Sequence, residues 1–167
     1  MQILKPYIDS GALVVKSGKF SPNETNVPGW RTDLASKRMD EILDTVGYCA
    51  NGGVKLDGIL SPSDCLSDGI IFTLKKKGYT PSNIPVITGQ DATAKALQNV
   101  KEGYQAMTIY KSRDDLHDAV IDMVRSISSG KKANINDTTT YNNGLKDMDS
   151  FPCTPELIDR SNLAKLL

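Results

Sequence analysis

Histidine is almost absent from this chain: His117 is the only one among 167 residues. A histidine-based triad or a histidine-rich metal centre has little to draw on. Cysteine is scarce as well. Cys49, Cys65 and Cys153 stand far apart and form no Cys-x-x-Cys pair, so the clustered ligands of a zinc site are missing. They read as small, half-buried apolar residues. Neither sign of charge dominates, since 20 Lys+Arg balance 20 Asp+Glu. The basic surplus of a phosphate-backbone binder is lacking, which argues against a nucleic-acid partner. No apolar run approaches the roughly 18 residues that a membrane-spanning helix needs. No secretory n-region and h-region opens at Met1. By that reading the chain is cytoplasmic, a mature product, or one that has lost its leader. The Gly-rich nucleotide fingerprints and the Gly-x-Ser-x-Gly elbow are also missing. No nucleophile, base and oxyanion hole assemble, so the chain does not read as an enzyme, and it calls for no cofactor and no metal.

What is present is an alternation. Residues 1–9 predict a short helix interrupted by Pro6, residues 12–16 a β-branched strand, and residues 17–29 a loop rich in Gly, Pro and Asn. A helix is predicted over 32–48, where Met39, Ile42, Leu43 and Val46 recur at helical spacing and Thr32 or Asp33 caps the start. Strands are predicted at 56–60, 84–88 and 105–110, and helices at 64–77, 92–102 and 114–128. The last helix carries a stripe of Leu116, Val120, Met123, Val124 and Ile127. Beyond Gly130 the sequence predicts loose strand and loop, with a small helix near 156–166. Such alternation implies an α/β fold: a doubly wound, mostly parallel sheet with helices on both faces.

Ligands of open sheets bind beyond the carboxyl ends of the strands. The loops leaving the predicted strands hold Trp30, Ser63, Asp64, Asp91 and Lys111. Each has an ordinary explanation. A lone tryptophan in a Pro-Gly loop caps a core, Ser63, Asp64 or Asp91 caps a helix, and Lys111 is a surface lysine. Together they match the needs of a neutral polyol. Its C–H face wants a flat apolar surface, and its vicinal hydroxyls want a carboxylate that accepts and a cation that donates.

Two runs carry a resemblance: DGILSPSDCLSDGIIFTLKKKGY, and IPVITGQDATAKALQNVKEGYQAMTIYKS. With NVPGW and NDTTTYNNG they resemble the xylose and multiple-sugar group of periplasmic solute-binding proteins of ABC transporters, over nearly the whole chain. The resemblance implies one lobe, the C-terminal one, of a two-lobe fold that closes on a monosaccharide such as xylose, glucose or arabinose. Residues 1–110 would be the C-terminal sugar-binding lobe without its first strand. Residues 111–133 would be a crossover and a helix that packs on the other lobe, and residues 134–167 a return segment and tail.

By the same resemblance Trp30 stacks on the sugar ring, Asp91 accepts from its hydroxyls and Lys111 donates to them. Ser63 and Asp64 stand where the family carries a polar pair. The resemblance further implies a membrane permease of an ABC importer as partner, and a place in the periplasm or on an outer membrane anchor. Met1 falls where the family is in mid-helix, so the chain reads as truncated. Alone it would bind sugar weakly or not at all, and the uncovered stripe of helix 114–128 would fold back or drive self-association. The alternative is a sugar-sensing domain for a chemoreceptor, a sensor kinase or a transcription regulator.

Overall fold

A computed structural model describes residues 3–166. Its described elements begin with α1 (Lys5–Asp9), α2 (Pro22–Thr25), a 3-10 turn at Pro28–Trp30 and α3 (Thr32–Val46). Then come β1 (Gly58–Ile59), α4 (Asp64–Lys76), β2 (Val86–Ile87), α5 (Ala94–Glu102) and β3 (Met107–Tyr110). The chain continues through α6 (Arg113–Ser128), β4 (Glu156–Asp159) and a closing 3-10 turn at Leu163–Lys165. Met1 and Gln2, the start of the helix predicted over 1–9, lie outside the described residues.

The chain divides into two compact units, residues 1–108 with 158–167, and residues 109–157. The first is the α/β unit. β1 and β2 pair in parallel, with Gly58 beside Val86 and Ile59 beside Ile87. The Ala106 N–H donates to Ile87 O at 3.0 Å, bringing the approach to β3 alongside β2. Each of these strands is followed by a helix, the βα order read from the sequence. β3 and β4 form a second two-stranded ladder.

α3 and α4 supply most of the core. The helical spacing of Met39 and Leu43 on α3 and of Ile71 and Leu74 on α4 turns these residues inward, where they meet Tyr79 and Ile87. Burying each large apolar side chain is worth about 1.5–3 kcal/mol. Gly69 lets the two helices approach closely: a Cβ there would collide with the backbone O of Thr32. Around that contact the hydroxyls of Ser36 and Thr73 lie 2.7 Å apart, and Thr32 Oγ1 donates to Cys65 O at 3.0 Å.

The second unit is built differently. α6 has no buried residue. Leu116, Val120, Val124 and Ile127 are all at least half exposed. The stripe read from the sequence is real; four of its five residues are open to solvent, and Met123 is half-buried. The long return segment is held by local turns, such as that in which Asp137 Oδ1 accepts from the N–H groups of Thr139 and Thr140, each at 3.0 Å.

Several local expectations are corrected. Residues 12–16 form no strand, and Leu13, Val14 and Val15 stay exposed. β-Branched composition suits a sheet, but a strand needs a neighbour to pair with, and among the described residues this one has none. The predicted terminal helix is instead β4 and a short 3-10 turn. Ile158 is fully buried, and Asp159 Oδ1 accepts from the Ser161 N–H at 2.7 Å, turning the chain before a helix can start. Cys49 and Cys65 are exposed rather than half-buried; Cys153 is half-buried.

Candidate functional site

The strand exits of the first unit are tied together by buried polar side chains. β1 leaves through Ser61 to Asp64. Ser63 caps α4, its Oγ accepting from the Cys65 N–H at 3.3 Å. The Asp64 N–H donates to Gln90 O at 2.9 Å, which joins the exit of β1 to that of β2. Ser67 Oγ donates to Thr88 O at 2.9 Å, and Thr88 Oγ1 donates to Ser61 O at 2.9 Å.

Asp64 is the hub. Its side chain is fully buried. Oδ1 accepts from Thr108 Oγ1 at 2.9 Å and from Gln105 Nε2 at 3.0 Å. Oδ2 accepts from the Thr93 N–H at 2.9 Å and lies 3.0 Å from Thr108 Oγ1. One carboxylate thus joins the exits of β1 and β2 to β3. Gly89 leaves room for it, because a Cβ there would run into Asp64 Oδ1 and Gln105 Nε2. One turn along α4, burial raises the Asp68 carboxyl above its ordinary value, against the opposing pull of the hydrogen bond from Asn99.

Ser63 and Asp64, expected as ligand contacts, both lie at the exit of β1. Ser63 is 5% exposed and Asp64 0%, and both are engaged with protein groups.

Trp30 and Asp91 are exposed. Trp30 stands 59% exposed, so it is no cap over the core. It lines a cleft of about 530 Å³, walled also by Ile59, Leu60, Ser61 and Pro62 at the end of β1 and by Met39 of α3. Both residues have left-handed backbones, φ 54° at Trp30 and φ 103° at Asp91, and Ala92 follows with φ 49°. Bulky or branched residues rarely adopt this region, at a cost of order 1–3 kcal/mol each, and such strain gathers at functional positions. Trp30 closes its turn by donating its N–H to Val27 O at 3.2 Å. The Arg38 guanidinium of α3 donates to Thr25 O at 2.7 Å and moors the loop ahead of it. Beside Trp30, the Arg31–Asp33 ion pair holds the Asp33 carboxyl below its ordinary value, chiefly through the side-chain hydrogen bond.

Asp91 does not line that cleft. It stands at the next strand exit, one residue past the Gln90 carbonyl that receives the Asp64 N–H. It does not cap α5, as its position allowed; Thr93 does, with Oγ1 accepting from the Ala96 N–H at 3.2 Å. Lys111 is exposed, belongs to the second unit and directly follows β3. The sequence reading missed Thr93, Gln105 and Thr108. Only Thr108 gives its hydroxyl to the carboxylate; Thr93 gives a backbone N–H and Gln105 its side-chain amide, so no shared residue pattern announced the three. Among the described residues no group of three or more His, Cys, Asp or Glu is placed to hold a metal ion. No described helix is long and apolar enough to cross a membrane.

Residues 1–132 match the family described as periplasmic binding protein domain. The multiple sugar-binding periplasmic receptor ChvE of Rhizobium radiobacter is 40% identical over 169 residues, covering 100% of this chain and 47% of that protein. The D-xylose-binding periplasmic protein of Escherichia coli K12 is 31% identical, over 98% of this chain and 44% of that one. An ABC transporter solute-binding protein from Clostridium phytofermentans, solved with bound β-D-glucose, superposes with a TM-score of 0.89 at 37% identity, over 99% of this chain and 50% of its own. The chain spans about half the length of the relatives it matches. Over that span it has the α/β fold of one lobe, and the chain belongs to the periplasmic binding protein domain family.

Proposed function

We propose that this chain supplies one face of a monosaccharide site in a periplasmic receptor of an ABC importer, and that it binds sugar without converting it. Trp30 is the stacking surface and Asp91 the hydroxyl acceptor. For Lys111 the reading rests on the sequence resemblance of the MTIYK run alone, which makes it the ammonium donor. The observation that carries this reading is Trp30: an indole 59% exposed, held in a left-handed conformation on the wall of a cleft at the exit of β1. An apolar ring face offered beside polar strand exits suits the C–H face of a pyranose. The relatives bind multiple sugars, D-xylose or β-D-glucose, and these are the ligands to try first.

Micromolar affinity corresponds to about −8 kcal/mol, and every 1.4 kcal/mol lost is tenfold. A chain holding half of the contacts therefore binds at millimolar strength or weaker. Calorimetry with D-xylose, D-glucose and L-arabinose is expected to show little or no heat at micromolar sugar. Tight binding by the chain alone would overturn the assignment of one face only. A coupled assay that finds turnover of any sugar, lost in Asp91→Ala, would overturn the reading as a pure binder.

A further inference from the structure

We infer that Asp64 is a positioning residue, which sets the backbone of Asp91 for the sugar through Thr108; the inference deepens the proposed function and rests on it for the ligand alone. Asp64 has no access to solvent, so any part it plays in recognition passes through another residue. The path is short. Thr108 Oγ1 donates its one proton to the Asp64 carboxylate and keeps its lone pairs for an incoming N–H. That N–H is Ala92, which donates to Thr108 Oγ1 at 3.1 Å. The next N–H, Thr93, donates directly to Asp64 Oδ2.

Two consecutive amides are thereby fixed just after Asp91. They are the ones needed to hold Asp91 and Ala92 at positive φ, a conformation that neither residue prefers. The direction of the proton matters. With Asp64 as acceptor, the Thr108 hydroxyl is forced to be an acceptor toward Ala92. An amide at position 64 presents an N–H where the carboxylate has only acceptors, and sets donor against donor at Thr93 or Gln105. The exposed Asp91 carboxylate depends on a residue buried one strand away.

Amide exchange and chemical shifts in the full chain test this. Asp64→Asn is expected to cut the protection of the Ala92 and Thr93 amides by tenfold or more and to broaden Asp91, while the amides of Leu43 and Leu74 stay within twofold. Thr108→Val is expected to do the same at Ala92, and Thr108→Ser to restore it, which a general loss of packing would not reproduce. If Asp64→Asn fails to fold, the Thr108 pair decides alone. A folded Asp64→Asn with protection at 92 and 93 unchanged, or equal protection in Thr108→Val and Thr108→Ser, overturns the inference. Millimolar D-glucose is added as a second arm. It is expected to move the Asp91 amide in the parent chain and in Thr108→Ser, and to move it several-fold less in Thr108→Val. If D-glucose and D-xylose move nothing in the parent chain, the sugar reading fails, and the exchange arm still decides the positioning role.

Discussion

The two units of this chain solve the problem of stability in opposite ways. In the first, the exits of β1 and β2 are fastened to a buried core, and a fully buried carboxylate joins three segments of chain. In the second, no described residue is buried, and a long helix shows its apolar stripe to solvent. One unit is cooperative because its contacts are shared. The other is held by helix propensity and local turns, which are lost a few residues at a time. A rim that holds Trp30 and Asp91 in disfavoured backbone conformations belongs in the first kind of structure.

The largest effect expected on this contrast comes from the core. Leu74→Ala, at a fully buried position, should cost about 2–5 kcal/mol in denaturant unfolding and lower the stability of the first unit as a whole. Gly69→Ala should follow at about 1–3 kcal/mol, because the α3–α4 contact must open to admit the methyl group. A null result for either would remove the tight helix pair from the account.

Acid should act with opposite signs at two carboxylates, one in each unit. In the second unit the Asp137 carboxyl is held below its ordinary value, first by the Thr139 N–H and then by Thr140. A depressed folded value means that its support is complete above the unfolded value, about 3.9, and is lost as pH falls through the folded one. In the first unit Asp68 is raised, mainly by burial. There the unfolded chain gives up its proton first, so stability falls as pH rises from the unfolded value toward the raised one. Acid titration followed by NMR should loosen the Thr139 and Thr140 amides. Asp68→Asn should remove this contribution, so that the first unit of the variant gains less, or loses more, stability than the parent on mild acidification.

The smallest effect is expected at Val124→Ala. This residue is 58% exposed on the stripe of α6, and unfolding should shift by no more than about 0.5 kcal/mol. A cost of core size would mean that the stripe is covered in solution, by a second copy for instance, and light scattering would show it.

How much of this was legible in sequence follows the same division. α3 to α6 and β1 to β3 could be read because helical periodicity and short β-branched runs are local signals. Residues 12–16 misled because their composition says strand while pairing depends on a neighbour. Residues 156–166 misled because their apolar spacing fits a helix, whereas Ile158 is drawn into the core and Asp159 turns the chain. At the site, Trp30 and Asp91 were visible as residue types, but nothing local announces a positive φ at a non-glycine. Asp64 looked like a ligand carboxylate or a cap. Its partners lie 29, 41 and 44 residues away along the chain, a separation no motif spans.

The central claim is that Trp30 and Asp91 serve one sugar. Trp30 is the sole tryptophan of the chain, so its indole N–H gives a single resolved signal. Titration with D-glucose into the millimolar range should move that signal and the Asp91 amide along one saturable isotherm, with both shifts lost in Asp91→Ala. Two different isotherms, or an indole that responds equally in Asp91→Ala, would contradict it.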